Sequence, residues 1–121
     1  MNLNTARIFV RNLAEAQGFY TLALGLPLLA GGSEHGYCVF NAGAMTLVVE
    51  TVGAEAPEEE QVLVGRFTGL SFEVPNAQAM YEALSSRGVV FTGLPEKQFW
   101  GGTLATLRDP AGNEIQICQQ P

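Results

Sequence analysis

The stretch WGGTLATLRDPAGNEIQI, residues 100–117, decides most of what this chain can fold into. Its first part, Thr103 to Arg108, predicts a short strand because threonines and leucines suit a pleated, half-buried surface. Residues 109–113 (DPAGN) predict a tight turn, since Pro110 presets φ, Asp109 can bond the backbone ahead of it, and Gly112 or Asn113 tolerates positive φ. From Glu114 to Gln119 polar and apolar residues alternate, which predicts a second strand with one buried face. The stretch therefore predicts a hairpin.

The rest of the chain predicts two similar halves. In the first half a strand over residues 3–10 precedes a helix that Asn12 caps, with Glu15 three residues on, and that Gly25 ends. Three more strands are expected between Gly-containing turns, over residues 26–31, 36–41 and 45–51.

The second half repeats this order. A strand over residues 67–74 leads to a helix that Asn76 caps and Gly88 ends, then to a strand over 89–93 and the hairpin. Val10 and Asn12 correspond to Val74 and Asn76, so two strand-helix-strand-strand-strand modules indicate an internal duplication.

The predicted fold class is α+β, with two tandem βαβββ modules forming a curved mixed sheet whose helices lie on the convex face. The single domain, residues 1–121, comprises module one at 1–52, an acidic linker at 53–66 and module two at 67–121. The helix-facing sides of the strands are apolar, and the opposite, concave side is predicted to be largely polar. A polar cleft with an aromatic side chain nearby is typical of a small-molecule site. The alternative is that these positions simply face solvent or are filled by their own side chains.

The hairpin and the duplication together resemble one known family. An aromatic-Gly-Gly strand, then Asp-Pro-x-Gly-Asn, then a short Ile-x-Ile strand near the C-terminus is similar to the corresponding segment of the glyoxalase / bleomycin-resistance / extradiol dioxygenase superfamily (vicinal oxygen chelate fold). The resemblance covers essentially the whole chain. It implies that the concave face binds a ligand.

The same resemblance bears on metal binding. Metal-dependent members place His or Glu at the start of each module's first strand and on its last strand, because a divalent ion needs three or four such ligands. The matching positions here are Thr5, Gly69 and Gln116, with Thr46 or Val48 as the fourth and Glu50 a little further along. This departure from the pattern argues against a lactoylglutathione lyase, a fosfomycin-type transferase and an extradiol dioxygenase. It implies the metal-independent branch, whose members bind a ligand without changing it, and it implies no metal and no cofactor.

The leading hypothesis is therefore a protein that sequesters a small organic ligand in a cleft without a metal ion. The resemblance implies that such a cleft is commonly formed between two subunits, so a homodimer is expected. Six residues are predicted to line that cleft: Arg7, Phe9, Glu50, Ser71, Trp100 and Gln116. Trp100 could stack on a planar ligand or simply close the hairpin edge. Two alternatives stay open. One is a lyase or isomerase that uses Glu50 or Glu73 as base, or a degenerate metal site; the other is an interaction domain whose cleft has closed.

Composition excludes several other classes. The net charge is −6, and Glu55, Glu58, Glu59 and Glu60 fall in one segment without a basic residue. No basic stripe is present, which argues against nucleic-acid binding. No apolar run approaches the roughly 18 residues of a membrane span, and the first ten residues lack the pattern of a signal peptide. Cytoplasmic location with free cysteines is therefore expected.

Salt bridges to Arg7 or Arg108 are the expected state of Glu50, Glu73 and Glu114.

Overall fold

The computed structural model describes all residues from 1 to 121. The chain forms two compact units, one of residues 1–66 with 110–112 and one of residues 67–109 with 113–121. The predicted α+β class is confirmed, and the hydrogen-bonded strands form two sheets, one of four strands and one of five. No helix in the structure has both the length and the apolar character needed to cross a bilayer.

The first unit is a four-stranded sheet with one long helical segment. Its elements are β1 (Thr5–Val10), α1 (Leu13–Gly18) with a π-helical continuation (Phe19–Ala23), β2 (Leu28–Gly32), a 3-10 turn (Ser33–His35), β3 (Tyr37–Ala42), β4 (Met45–Thr51) and α2 (Glu58–Gln61). The strand order is β1-β4-β3-β2, with β1 parallel to β4 and the other pairs antiparallel. The parallel pair is possible because α1 provides the crossover between β1 and the rest of the sheet.

The core of the first unit lies between the sheet and α1. Ile8, Val10, Leu47 and Val49 are nearly inaccessible, as the alternation along β1 and β4 predicts. Tyr20 is fully buried, and its ring centroid lies 5.7 Å from that of Phe40 on β3. Asn12 caps α1 as predicted, since its Oδ1 accepts from the backbone N–H of Glu15 at 3.0 Å.

The second unit repeats the arrangement. It contains β5 (Phe67–Glu73), α3 (Ala77–Ser86), β6 (Val90–Phe91), β7 (Glu96–Lys97), β8 (Thr103–Arg108) and β9 (Glu114–Gln119). The strand order is β5-β9-β8-β6, and β7 also pairs with β8. Asn76 caps α3, accepting from the N–H of Ala79 at 2.9 Å. Leu107, Ile115 and Ile117 are buried on the face toward α3.

The hairpin turn forms with the predicted chemistry. Asp109 and Asn113 are the only two buried polar or charged residues, at 4% and 1% exposure. The Asn113 backbone N–H donates to Asp109 Oδ1 at 2.9 Å and its side-chain amide donates to Oδ2 at 3.0 Å. The Asp109 N–H in turn donates to the Asn113 carbonyl at 2.9 Å. Gly112 takes the positive φ, at 87°. The bounds of β8 and β9 match the prediction.

The acidic segment is more ordered than the predicted solvated linker. Residues 58–61 form one helical turn, and the Gln61 amide donates to the carbonyls of Gly53, Ala54 and Ala56 at 2.8 to 3.3 Å. Arg11 donates to the Gln61 Oε1. The prediction missed this turn because the segment has no helical pattern of apolar residues, and a single glutamine supplies the contacts instead.

Two other element predictions were wrong in extent. The expected strand over residues 89–93 shortens to Val90–Phe91, and the two-residue β7 was not predicted at all. Gly93 and Pro95 stand between them, and a proline cannot donate to a ladder, so pairing with β8 lapses and then resumes.

Candidate functional site

In the first unit three of the predicted site residues lie together on the sheet face away from α1. Phe9 and Glu50 are register partners on β1 and β4. Arg7 Nε donates to Glu50 Oε2 at 2.5 Å, and the Arg7 guanidinium carbon lies 5.1 Å from the centroid of the Phe9 ring. The hydrogen bond to Glu50, followed by its charge, raises the pKa of Arg7 above its usual value. The expected salt bridge of Glu50 is thereby confirmed.

The rest of that face is less polar than predicted. Tyr37 on β3 lies opposite Glu50, and Val39 lies opposite Val48. The side chains of Tyr37, Val39 and Val48 all remain partly exposed, Tyr37 at 43%. The prediction considered only β1 and β4, whereas alternation along β3 sends Cys38 and Phe40 into the core and its odd-numbered neighbours outward. This face is therefore an aromatic and aliphatic surface with one ion pair.

In the second unit the corresponding face is polar, as predicted. Ser71 on β5 is the register partner of Gln116 on β9, and Gln116 is the partner of Thr106 on β8. Gln116 Nε2 donates to Thr106 Oγ1 at 3.3 Å. Two predicted site residues, Ser71 and Gln116, thus lie in one cross-strand row, with Thr106 as a third member that the prediction did not include.

A cavity of about 280 Å³ lies at the β8 edge of this row. It forms because the chain leaves β8 after Thr92, whose N–H donates to the Thr106 carbonyl at 2.8 Å, and pairs with it again only at Glu96. Its lining comes from this excursion and from β8 and β9: Thr92, Gly93, Leu94, Glu96, Gln98, Leu104, Ala105, Thr106 and Gln116. Of the predicted ligand-binding residues, only Gln116 lines it.

Sequence reasoning missed the other eight residues of this lining. The signal that could have found them is Gly93-Leu94-Pro95, which interrupts an otherwise strand-like segment. Such an interruption opposite a continuous strand leaves space between the two. The pattern could not show whether side chains would fill that space.

Trp100 lies on the loop that follows β7 and does not line the cavity. The loop is closed by bonds from Gln98 N–H to the Gly102 carbonyl at 2.7 Å and from Gly101 N–H to the Gln98 carbonyl at 3.0 Å. The indole rests against Gly102 so closely that a Cβ there would come within 1.9 Å of a ring carbon. Trp100 is 41% exposed and Phe99 is fully exposed. Its role as a ligand contact stays a prediction.

The positions that hold metal in metal-dependent relatives do not fit a metal ion here. In the first unit the Thr5 hydroxyl donates to Asn4 Oδ1 at 2.8 Å and Glu50 is paired with Arg7. In the second unit Gly69 has no side chain, and Gln116 bonds to Thr106. No group of three or more His, Cys, Asp or Glu side chains suited to a metal ion occurs in the structure.

The remaining candidates lie apart from these faces. Arg108 Nε is 3.1 Å from Glu114 Oε2, a predicted salt bridge that is confirmed. Glu73, by contrast, has no such partner, and it lines an open pocket of about 330 Å³ with Val74, Pro75, Gln119 and Gln120. His35 is in the 3-10 turn, largely exposed and 3.6 Å from Glu34. Burial, followed by the charge of Glu34, raises the pKa of the Cys38 thiol, and both cysteines are free.

The fold agrees with the comparison to known proteins. Residues 2–117 match the sequence profile described as the Glyoxalase/Bleomycin resistance protein/Dioxygenase superfamily. Because the match spans nearly the whole chain, this protein belongs to that superfamily.

Three similar proteins illustrate the match to the superfamily. The chain is 29% identical to YraH, an uncharacterized protein of Bacillus subtilis (strain 168), over 97% of each chain. A superfamily member from Sphaerobacter thermophilus DSM 20745 shares the fold with a TM-score of 0.80 and 24% identity, covering 99% of this chain and 98% of that one. TnmS3, an antibiotic binding protein from Streptomyces sp. CB03234, has a TM-score of 0.77 and 25% identity, covering 100% of this chain and 97% of that one.

Proposed function

We propose that this protein binds a small organic ligand without a metal ion, holds it at the cavity of the second unit, and releases it unchanged. The observation that carries the proposal is the cavity itself, which lies at the end of the Ser71–Gln116–Thr106 row. Its volume of about 280 Å³ is close to the lower end of the range of about 300 to 1,000 Å³ for small-molecule sites. The similarity to TnmS3, described as an antibiotic binding protein, supports binding as the activity.

Binding is favoured over catalysis because the lining contains no pair of groups arranged for acid–base chemistry. Glu96 is its only ionisable side chain. The two carboxylates predicted as bases do not line it, because Glu50 is ion-paired with Arg7 and Glu73 lines a separate pocket of about 330 Å³. To accept a proton from a ligand, Glu50 would have to give up its hydrogen bond to Arg7. The superfamily fold supports many chemistries, so it does not decide the question.

A binding screen with a matched pair of variants tests the proposal. Planar and non-planar organic compounds are screened by the shift in melting temperature, and hits are titrated against the fluorescence of Trp100, the single tryptophan. Gln116→Leu removes the amide at the cavity, and Gln78→Leu makes the same change on an exposed turn of α3. A ligand of this site should stabilise the wild type and Gln78→Leu, and should lose most of its effect in Gln116→Leu.

Recovery of the ligand separates binding from turnover. After prolonged incubation with catalytic amounts of protein, mass spectrometry should return the hit compound intact. Conversion of the compound would favour the lyase or isomerase alternative, and equal binding to Gln116→Leu would place the ligand elsewhere and contradict the proposal. The expected homodimer is a further part of the proposal, and analytical ultracentrifugation with and without the ligand tests it.

A further inference from the structure

The cavity of the second unit is lined by three side-chain groups that can accept hydrogen bonds and have no donor in the structure. The Gln116 amide donates one of its two N–H groups to Thr106 Oγ1 at 3.3 Å. Gln98 Nε2 donates to the backbone carbonyl of Glu96 at 3.0 Å. The carbonyl oxygens of both amides and the carboxylate of Glu96 are left without a hydrogen-bond partner in the structure. An amide oxygen or carboxylate in this state offers an acceptor to a ligand.

The charge of the lining also favours a ligand that donates hydrogen bonds. Glu96 is the only charged residue among the nine that line the cavity, and no ion pair neutralises it. The adjacent Lys97 is on the next position of β7, and successive side chains of a strand point to opposite faces. A ligand in the cavity therefore meets one negative charge and two amide oxygens without a hydrogen-bond partner. The hydroxyls of Thr92 and Thr106 and the second N–H of each glutamine amide are the side-chain donors of the lining.

We propose that the ligand of this cavity carries an amine that binds as an ammonium group, with Glu96 as its counter-ion and the carbonyl oxygens of Gln98 and Gln116 as further acceptors. An ammonium group has three donors and no acceptor, so it matches this lining. A carboxylate or phosphate would face Glu96 without a compensating cation, and like charges repel. This inference rests on the proposed function, and it names the chemical class of the ligand for the same site.

Three probes of nearly equal size test the inference on the full chain: benzylamine, benzyl alcohol and benzoate. Binding is followed at pH 7 by the NMR signals of the Gln98 and Gln116 side-chain amides. Benzylamine should bind more tightly than benzyl alcohol, and benzoate should not bind. Glu96 is solvent-exposed, so the advantage of the amine should be about fivefold, and added salt should reduce it.

Two charge-removing variants supply the control. Glu96→Gln keeps the shape of the side chain and should abolish the preference for benzylamine over benzyl alcohol. Glu82→Gln makes the same change on α3, away from the cavity, and should leave the preference intact. Both residues are exposed, so both variants are expected to fold.

The outcomes distinguish this inference from the proposed function. If benzyl alcohol and benzylamine move the two amide signals equally, or if Glu96→Gln retains the preference, the cavity binds ligands without selecting amines and the inference is overturned. If no probe moves these signals, and the compound screen also gives no hit that depends on Gln116, both the inference and the proposed function are wrong.

Discussion

At the scale of single residues, the turn between β8 and β9 depends most on the Asp109 carboxylate. It accepts both the backbone and the side-chain N–H of Asn113, and both residues are almost completely buried. Asp109→Ala would remove the acceptor of these two buried N–H groups. An unsatisfied buried donor costs about 1 to 3 kcal/mol, so we expect the free energy of unfolding to fall by about 2 to 4 kcal/mol for the two. Urea denaturation measures it.

A control keeps this prediction specific to the turn. Glu59→Ala removes an exposed carboxylate from α2 and should change the free energy of unfolding by less than about 0.5 kcal/mol. An Asp109→Ala protein as stable as Glu59→Ala would show that the hydrogen bonds seen at the turn contribute little to stability.

Cys38 gives a prediction about alkaline pH. The thiol is fully buried, it donates to Gln17 Oε1 at 3.7 Å, and burial and Glu34 raise its pKa above the usual 9.0. A group whose folded-state pKa is raised contributes stability below its unfolded pKa and loses that contribution as the pH rises through the folded pKa. Stability should therefore decline above about pH 9, because the unfolded chain releases the thiol proton more readily than the folded one.

The comparison of two variants isolates this effect from other groups that titrate at alkaline pH. Urea unfolding at pH 7.5 and pH 10 should show a smaller loss of stability in Cys38→Ala than in the wild type. Cys118→Ala removes a buried thiol from β9 and controls for the substitution itself. The same decline in all three proteins would mean that Cys38 contributes nothing to the pH dependence.

At the scale of elements, the acidic segment shows how one side chain can order a stretch that composition marks as a linker. Gln61 bonds to three backbone carbonyls within residues 53–56 and accepts from Arg11. Gln61→Ala should release residues 53–61, so that their amide hydrogens exchange faster by about tenfold, which corresponds to about 1.4 kcal/mol of local opening free energy. Hydrogen exchange followed by mass spectrometry measures this, with β8 as the internal reference.

A second glutamine separates this prediction from a general loosening of the chain. Gln78→Ala removes a comparable side chain from α3, where the amide has one weak bond to Glu82 at 3.4 Å, and it should leave exchange in residues 53–61 unchanged. Unchanged exchange in Gln61→Ala as well would show that the helical turn is held by its own backbone bonds.

Elements that are specified by neighbouring residues were predictable from the sequence. Elements that involve side-chain contacts between separated parts of the chain were not. The bounds of β8 and β9 follow from alternation and from a turn whose residues specify its geometry. Asn12 and Asn76 mark helix starts by a local hydrogen bond. The π-helical segment Phe19–Ala23 keeps the apolar positions of an α-helix, so periodicity could not distinguish it. Beside the helical turn at 58–61, Gln61 bonds to three nearby carbonyls and accepts from Arg11, fifty positions earlier in the chain. No pattern of apolar residues indicates these contacts.

The candidate site was predictable only in part for the same reason. The faces of β1, β4, β5 and β9 follow from period-two alternation, which brings Arg7 to Glu50 and Ser71 to Gln116. The cavity beside Gln116 depends on how far the chain departs from β8 over three residues, and that is a matter of backbone path. Sequence patterns give the direction of a side chain in a strand more readily than the space beside it.

At the scale of the whole molecule, the side chains at the positions that match the ligands of metal-dependent superfamily members are unsuited to a metal ion. Thr5 and Gln116 are neutral and hydrogen-bonded within their units. Gly69 has no side-chain atom that could bind a metal ion. A metal ion at Glu50 would have to break the hydrogen bond to Arg7. A ligand set with at most one carboxylate holds a divalent ion weakly.

We therefore expect the melting temperature to change by less than about 2 °C on adding EDTA, or one equivalent of Ni²⁺, Zn²⁺, Mn²⁺ or Fe²⁺, because an ion that does not bind the folded state cannot stabilise it. The single histidine, His35, is exposed and could bind Ni²⁺ or Zn²⁺ weakly, so His35→Asn provides the background for the titration. A stoichiometric ion in the purified protein, with stabilisation that persists in His35→Asn and disappears in Glu50→Ala, would contradict metal-independent binding. Such a result would favour the enzyme hypothesis, because a Lewis acid at Glu50 would supply what the side chains of this chain lack.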